Sequence, residues 1–151
     1  MIRHPEHPSE PVRTLLLGVG GDPRQAVSAR AEGADLIDVS TATPATLAAI
    51  RASLPAAVLW TGSPGGLVDA DQLAATAAEH RDGAAHPDGA AHPDGAAEVV
   101  PAAVIAIAAV CTWLGTPVVR SRHVRAVRRA IDMTAFIAGH RPPSRTIRGL
   151  A

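Results

Sequence analysis

Short, uniformly apolar runs alternate with helix-start signals through the first eighty residues of the chain. Runs of strand length occupy residues 14–19, 34–39 and 57–61. They are apolar at nearly every position rather than at every second one, which is typical of parallel strands buried on both faces. The alternation therefore predicts an α/β fold in which helices cover both faces of a parallel sheet.

A helix-start signal follows each of the three apolar runs. A polar capping residue before proline satisfies the first free backbone N–H groups, and proline fits the first helical position. Gly33 is placed to end the first helix, and the third is expected to reach about residue 80. The start signals are Asp22-Pro23, Thr43-Pro44 and a capping-box pattern of Asp69 with Gln72.

A tandem repeat interrupts this pattern. Residues 82–97 read DGAAHP-DGAAHP-DGAA, and nothing in them can bury a core. We predict a mobile low-complexity linker over residues 81–97. Its His86, His92, Asp88 and Asp94 could bind a metal loosely, but repeat expansion explains them without any fixed ligand geometry. We expect neither a metal site nor a cofactor.

An apolar helix over residues 98–114 follows the repeat, and a strand over residues 117–119 leads from it into a basic turn. A last helix is predicted from Val124 to a glycine stop at Gly139. Its apolar residues recur near the 3.6-residue helical period. They are Val124, Val127, Ile131 and Ile137, with Met133 or Thr134 between them.

The basic turn before this last helix is a natural anion site. A helix N-terminus offers unpaired N–H groups and the positive end of its dipole, and arginine adds a charged fork. A glycine loop after the first strand could add further N–H groups. The candidate anion-binding residues are Arg120, Arg122, His123, Gly20 and Gly21. The alternative is a solvated unit with ordinary surface arginines.

Composition excludes several classes of function. The formal net charge is zero and there is no Tyr, so a broad nucleic-acid surface is not expected. The chain has no Lys, which excludes Schiff-base chemistry and a P-loop. The only cysteine, Cys111, lies among apolar helix residues and is interpreted as a buried hydrophobe.

No targeting or membrane segment is predicted. Residues 1–11 are polar and read as a disordered arm rather than a signal peptide, and residues 140–151 form a tail. The longest apolar run, residues 99–114, is shorter than the roughly 18–20 residues of a membrane helix. We therefore expect a cytoplasmic, soluble protein without a membrane or nucleic-acid partner.

Two segments carry a family resemblance. Residues 33–39 read Gly-Ala-Asp-Leu-Ile-Asp-Val and residues 120–124 read Arg-Ser-Arg-His-Val. They resemble the Gly-Ala-Asp-Ile-Ile-Asp-Val strand and the Arg-x-His-Asp-Val turn of the dihydropteroate synthase (pterin-binding) family. Arg120 matches the arginine of that turn, whereas Arg122 and His123 replace its histidine and aspartate. The tail also resembles the endings of a divergent branch of the family.

The resemblance implies a TIM barrel and a pterin pocket. The family joins p-aminobenzoate to a pterin methyl pyrophosphate in folate biosynthesis and releases pyrophosphate. Asp38 and Thr43 are the pterin-side candidates, although Asp38 could equally be a structural hydrogen-bond acceptor. Asp35 should point to the opposite face of the strand, because it lies an odd number of residues away. The family's pterin-binding asparagine and lysine have no counterpart, since the chain contains neither residue.

The chain is too short for a whole barrel, which rarely fits in under about 200 residues. We predict a partial or truncated TIM-barrel-like parallel sheet of about four strands with flanking helices. Residues 12–80 would supply the first three βα units and residues 98–139 the last one. If the barrel ends still meet, the last strand should lie beside the first.

These features support three functional hypotheses. The leading one is a degenerate dihydropteroate synthase-like protein without synthase activity on its own, binding at most a phosphate or pterin-type anion. The second is a non-catalytic interaction or regulatory partner of itself or of a full-length paralogue, because an incomplete sheet leaves open edges. The third is a dihydropteroate synthase completed across a homo-oligomer, which the lack of lysine in every copy disfavours.

Overall fold

The computed structural model describes residues 13–62, 66–83 and 96–140. The predicted arm, most of the repeat linker and the tail from residue 141 onward lie outside these residues. The described part contains five strands and five helices. In chain order they are β1 (Leu15–Val19), α1 (Pro23–Ala31), β2 (Leu36–Asp38), α2 (Pro44–Ser53), β3 (Val58–Trp60), β4 (Leu67–Asp69), α3 (Ala70–Gly83), α4 (Ala96–Trp113), β5 (Val118–Ser121) and α5 (Val124–Ile137).

All five strands are parallel and form one sheet in the order β3-β2-β1-β5-β4. The last strand lies beside the first, with Leu15 opposite Val118 and Gly18 opposite Ser121. If the two edge strands β3 and β4 were joined, the strands would follow one another around a closed ring in chain order, with β5 next to β1. The single break lies between β3 and β4. The predicted parallel α/β sheet with flanking helices is confirmed.

The sheet has one strand more than the sequence predicted. β4 covers only Leu67–Asp69 and passes directly into α3 at Ala70. Its apolar part is only Leu67-Val68, which follows a glycine-rich segment and directly precedes the helix cap Asp69. The sequence analysis therefore assigned these residues to the loop before the helix. The predicted count of about four strands was therefore wrong by one.

The two faces of the sheet bury different cores. Leu16, Ile37 and Val119 pack in a large cluster that contains residues from all five helices. The opposite face packs against itself in a smaller cluster that contains only strand residues. That smaller cluster consists of Leu17, Leu36 and Val118 with Leu15, Trp60 and Leu67 around them. The prediction that helices cover both faces was wrong.

Curvature of the sheet explains how the second face is buried without helices. A flat sheet with strands about 4.8 Å apart would hold its two edge strands roughly 19 Å from each other. Trp60 on edge strand β3 and Leu67 on edge strand β4 nevertheless belong to one apolar cluster and line one cavity. Leu17 is only 1% exposed although no helix residue belongs to this cluster, which indicates that the strands curl toward each other on this face.

The predicted helix signals are confirmed in the backbone geometry. Asp22 accepts hydrogen bonds from the N–H groups of Arg24 and Gln25 at 2.8 and 3.0 Å. Asp69 accepts one from the N–H of Gln72 at 3.0 Å. Left-handed glycines follow α1 and α5, with φ of 105° at Gly33 and 75° at Gly139.

The apolar helix α4 packs against α3, α5 and β5. Its Cys111 is buried in the large core, as predicted. Among the described residues, no helix combines the length and apolar character that a membrane crossing requires.

Candidate functional site

A cavity of about 470 Å³ opens at the carboxyl ends of the strands, on the helix-free face. Every strand contributes at least one residue to its wall. In parallel α/β proteins, ligands bind at this end of the sheet because loops and helix N-termini converge there. The lining residues are Leu17, Asp38, Ser40, Trp60, Thr61, Gly62, Leu67, Asp69, Gln72 and Arg120.

Arg120 lies in this cavity between two carboxylates. Its Nε donates to Asp38 Oδ2 at 2.8 Å, and its Nη1 donates to Asp69 Oδ2. Asp69 sits directly opposite Arg120 on the neighbouring strand β4. Asp38 sits on β2, so the arginine side chain crosses β1 to reach it. One side chain thus connects three separate strands at the open end of the sheet.

The carboxylates of Asp38 and Asp69 and the guanidinium of Arg120 together leave the cavity with one excess negative formal charge. Burial by itself would raise the pKa of Asp38. Hydrogen bonds from Ser40 and Arg120, together with the charge of Arg120, outweigh the effect of burial, so the pKa of Asp38 lies below its ordinary value of 3.8. Burial lowers the pKa of Arg120, and the two carboxylates overcome this effect and raise it above its ordinary value. Asp38 and Arg120 are therefore both charged at neutral pH.

The remaining wall combines an aromatic plane with small polar groups. The indole N–H of Trp60 donates to the carbonyl of Gly62. The side chains of Leu17 and Leu67 form the apolar floor beside it. An aromatic wall with carboxylate acceptors suits a flat ligand that presents N–H donors along one edge.

The predicted anion-binding arginines lie in different places. Arg120 is half-buried in the cavity, whereas the side chain of Arg122 is 70% exposed and its Nε lies 3.3 Å from Asp71 Oδ2. Arg122 lines a separate, smaller cavity with residues of α1. The backbone N–H of His123 donates to Ser121 Oγ at 3.0 Å. The structure does not gather these three side chains into one site.

The glycine loop serves packing. A Cβ at Gly20 would lie 2.3 Å from Ile37 Cγ2, so only glycine fits without a shift of the core. Its N–H donates to the carbonyl of Asp38 at 3.1 Å. A Cβ at Gly21 would have ordinary contacts of 3.5 Å or more. Neither glycine lines the cavity that contains Arg120.

The pterin-side candidates also separate. Asp38 lines the cavity and is buried, and its Oδ1 accepts the N–H of Ser40 at 2.9 Å. Thr43 caps α2 by accepting the N–H of Thr46 at 3.2 Å and does not line the cavity. Asp35 lies at the amino end of β2, and its Oδ2 accepts a hydrogen bond from Arg128 Nη1 at 2.7 Å. Asp35 and Asp38 thus have different surroundings, and Asp35 lies just before β2 rather than within it.

Asp69 is the charged cavity residue that the sequence analysis did not identify. Its Oδ1 caps α3 and its Oδ2 binds Arg120, so a residue interpreted only as a helix cap has two functions. Gln72 lines the cavity from the first turn of the same helix. Both belong to the strand-helix junction that the missed strand β4 creates. Recognition of residues 67–69 as a strand would have placed them at its carboxyl end.

The described residues contain no group of three or more His, Cys, Asp or Glu side chains that could hold a metal ion. The repeat histidines His86 and His92 lie outside these residues. No known protein-family model matches the chain, and neither does a curated protein or a solved structure. Its function has to be inferred from the cavity itself.

Proposed function

We propose that this chain is a shortened homologue of the dihydropteroate synthase (pterin-binding) family that binds a small planar heterocycle and lacks synthase activity of its own. The observation that supports it is the placement of Arg120 between Asp38 and Asp69, beside Trp60, at the carboxyl ends of the strands. The cyclic strand order with one break supports descent from a barrel.

The charge of the cavity favours the pterin ring over a phosphate as the ligand. In each carboxylate, one oxygen accepts a hydrogen bond from Arg120 and the other accepts one from a backbone N–H. A carboxylate oxygen can accept more than one hydrogen bond, so both carboxylates can still accept from a ligand. A pterin ring presents amino and ring N–H donors along one flat edge. A free phosphate would instead meet the excess negative charge.

The same geometry explains why we propose no synthase activity. Release of pyrophosphate needs cations that stabilise the leaving group. Arg120 is the only cationic side chain among the described residues that line the cavity, and both of its partners are carboxylates. The absence of lysine throughout the sequence leaves no second cation of that type.

Isothermal titration of the full chain with a pterin and, separately, with inorganic pyrophosphate tests the proposal. We expect binding of the pterin, no binding of pyrophosphate, and no dihydropteroate when p-aminobenzoate and the pterin pyrophosphate are supplied together. Trp60→Ala should weaken pterin binding, whereas Arg122→Ala, outside the cavity, should not. Failure of the pterin to bind would refute the ligand, and product formation would refute the lack of activity.

Open sheet edges favour a second candidate function, that of an interaction partner for a full-length paralogue. Within the described residues, β3 and β4 each pair on one side only, and Val58 on β3 is 58% exposed. Unpaired strand edges are templates for another strand. Amide hydrogen exchange at residues 58–60 and 67–69 should slow when the paralogue is added, and unchanged exchange would argue against this role.

A further inference from the structure

We infer that the cavity around Arg120 selects a planar cation of the amidinium type, an aromatic ring with a positively charged N–C–N edge, over a neutral ring of the same shape. This step rests on the proposed function, because it takes the same cavity as the binding site for a planar heterocycle and adds the charge of the ligand. The observation that supports it is the imbalance between two carboxylates and one guanidinium in the cavity wall.

The charge of the cavity wall is uncompensated. Among the described residues that line the cavity, only Asp38, Asp69 and Arg120 have charged side chains. Two carboxylates against one guanidinium leave one negative formal charge, and Asp38 is only 8% exposed to water. A charge in such poorly hydrated surroundings is costly unless an opposite charge lies nearby. A cationic ligand supplies the missing positive charge, whereas a neutral ring does not.

The free hydrogen-bonding positions of the two carboxylates suit N–H donors. Asp38 accepts from Arg120 Nε at 2.8 Å and from the N–H of Ser40 at 2.9 Å. Asp69 accepts from Arg120 Nη1 and from the N–H of Gln72. A carboxylate has about four acceptor positions, so each of the two can accept further hydrogen bonds. An amidinium presents two parallel N–H bonds, which is the arrangement that a carboxylate accepts in pairs.

The aromatic wall favours a cation that is also flat. The indole N–H of Trp60 is paired with the carbonyl of Gly62, so the ring offers a ligand apolar π surface rather than a donor. Leu17 and Leu67 pack in the same cluster as Trp60 and extend this surface. An indole attracts a cation placed over its face more strongly than the other aromatic side chains do. The volume of about 470 Å³ is typical of pockets for small organic molecules.

An inorganic cation suits the cavity less well than an organic one. Zinc is held by about three or four protein side chains and calcium by about six to eight oxygens. The described residues contain no group of three or more metal-binding side chains, and both cavity carboxylates already bind Arg120. An amidinium instead spreads its charge over two nitrogens and leaves its ring for the apolar wall.

Isothermal titration of the full chain with benzamidine and with benzamide at pH 7 tests the inference. The two molecules have nearly the same shape, but benzamidine is a cation at neutral pH and benzamide is neutral. We expect benzamidine to bind at least tenfold more tightly. Asp69→Asn removes one negative charge and keeps an oxygen that can cap α3, so it should reduce the preference to threefold or less. Glu79→Gln is the matched control, because it makes the same charge change on α3 at an exposed position outside the cavity.

A variant of Arg120 should have the opposite effect. In Arg120→Gln both carboxylates face the ligand without a resident cation, so the affinity for benzamidine should rise by threefold or more. A neutral or anionic ligand would not gain from this change. Circular dichroism checks that the variants are folded, and if Arg120→Gln is not, the comparison of Asp69→Asn with Glu79→Gln still decides the question.

Four outcomes would overturn the inference. They are no binding of either molecule, equal binding of both, a preference that persists in Asp69→Asn, and an equal loss of preference in Glu79→Gln. The proposed function fails or stands separately. Binding of a pterin without any preference for benzamidine would overturn the inference alone, whereas a preference for benzamidine without pterin binding would refute only the proposed ligand.

Discussion

Arg120 Nε and Asp38 Oδ2 lie 2.8 Å apart although their strands, β5 and β2, are separated by β1. The contact joins the last strand of the described residues to the second one across the helix-free face. Asp69, on the neighbouring strand β4, accepts a second hydrogen bond from the same guanidinium on its other side. Strands β2, β4 and β5 therefore share one polar cluster, and its contribution to stability can be measured.

Removal of the Arg120 guanidinium should destabilise the fold. Arg120→Ala leaves two carboxylates without their cation near each other, and we expect a loss of about 2–4 kcal/mol in the free energy of unfolding. Urea denaturation followed by circular dichroism measures it. Arg122→Ala is the matched control, because its side chain is 70% exposed and should contribute less than about 1 kcal/mol. Equal effects of the two changes would contradict the bridging role of Arg120.

The ion pair should also give a defined dependence of stability on pH. The pKa of Asp38 is lower in the folded chain than its ordinary value of 3.8. Its contribution is therefore fully present above that ordinary value and is lost as the pH falls through the folded pKa. The stability difference between wild type and Asp38→Asn should be constant from pH 7 to about pH 5 and shrink below about pH 4. A difference that already shrinks between pH 7 and pH 5 would contradict the lowered pKa.

The two glycines after β1 should respond differently to alanine. A Cβ at Gly20 would be 2.3 Å from Ile37 Cγ2, so Gly20→Ala must displace core atoms and should cost about 1–3 kcal/mol. Gly21→Ala meets only ordinary contacts and should change stability by less than about 1 kcal/mol. Thermal denaturation distinguishes them. If both are neutral, the packing role given to Gly20 is wrong.

Asp71 should stabilise the turn between β5 and α5. Its carboxylate accepts from Ser121 Oγ at 2.9 Å and from the backbone N–H of Arg122 at 2.7 Å, which connects the start of α3 to this turn. Ser121 is fully buried, so Asp71→Ala leaves its hydroxyl without that partner and should cost about 1–3 kcal/mol. Glu79→Ala, on the exposed part of the same helix, should stay within about 0.5 kcal/mol. Urea denaturation of both variants provides the comparison.

Local signals predicted most of the elements because their causes lie within a few residues. Asp22 before Pro23 fixes a helix start through its own side chain, and Gly33 ends that helix because it tolerates a left-handed backbone. β4 was missed because its apolar signal is only Leu67-Val68, whereas β2 and β3 lie within longer apolar runs. What defines β4 is its pairing with β5, whose residues lie about fifty positions further along the chain.

The candidate site illustrates the same limit. Asp38 was a pterin-side candidate from the family resemblance, and it does line the cavity. The partners of Arg120 could not be read from the sequence, since Asp38 and Asp69 lie 82 and 51 residues away from it. The turn that contains Arg120, Arg122 and His123 looked like one basic cluster. Arg122 lies beyond the end of β5, in the turn that leads to α5, and its side chain lines a different cavity from that of Arg120.

The sequence by itself determined the parallel α/β class and the approximate extent of the helices, because propensity, capping and periodicity act over short distances. Only the tertiary structure decided that the sheet curls on its helix-free face and that Arg120 is held by two carboxylates. Strand order and curvature depend on contacts between residues far apart in the chain. A guanidinium that could bind an anion in the open turn is committed, in the folded chain, to Asp38 and Asp69.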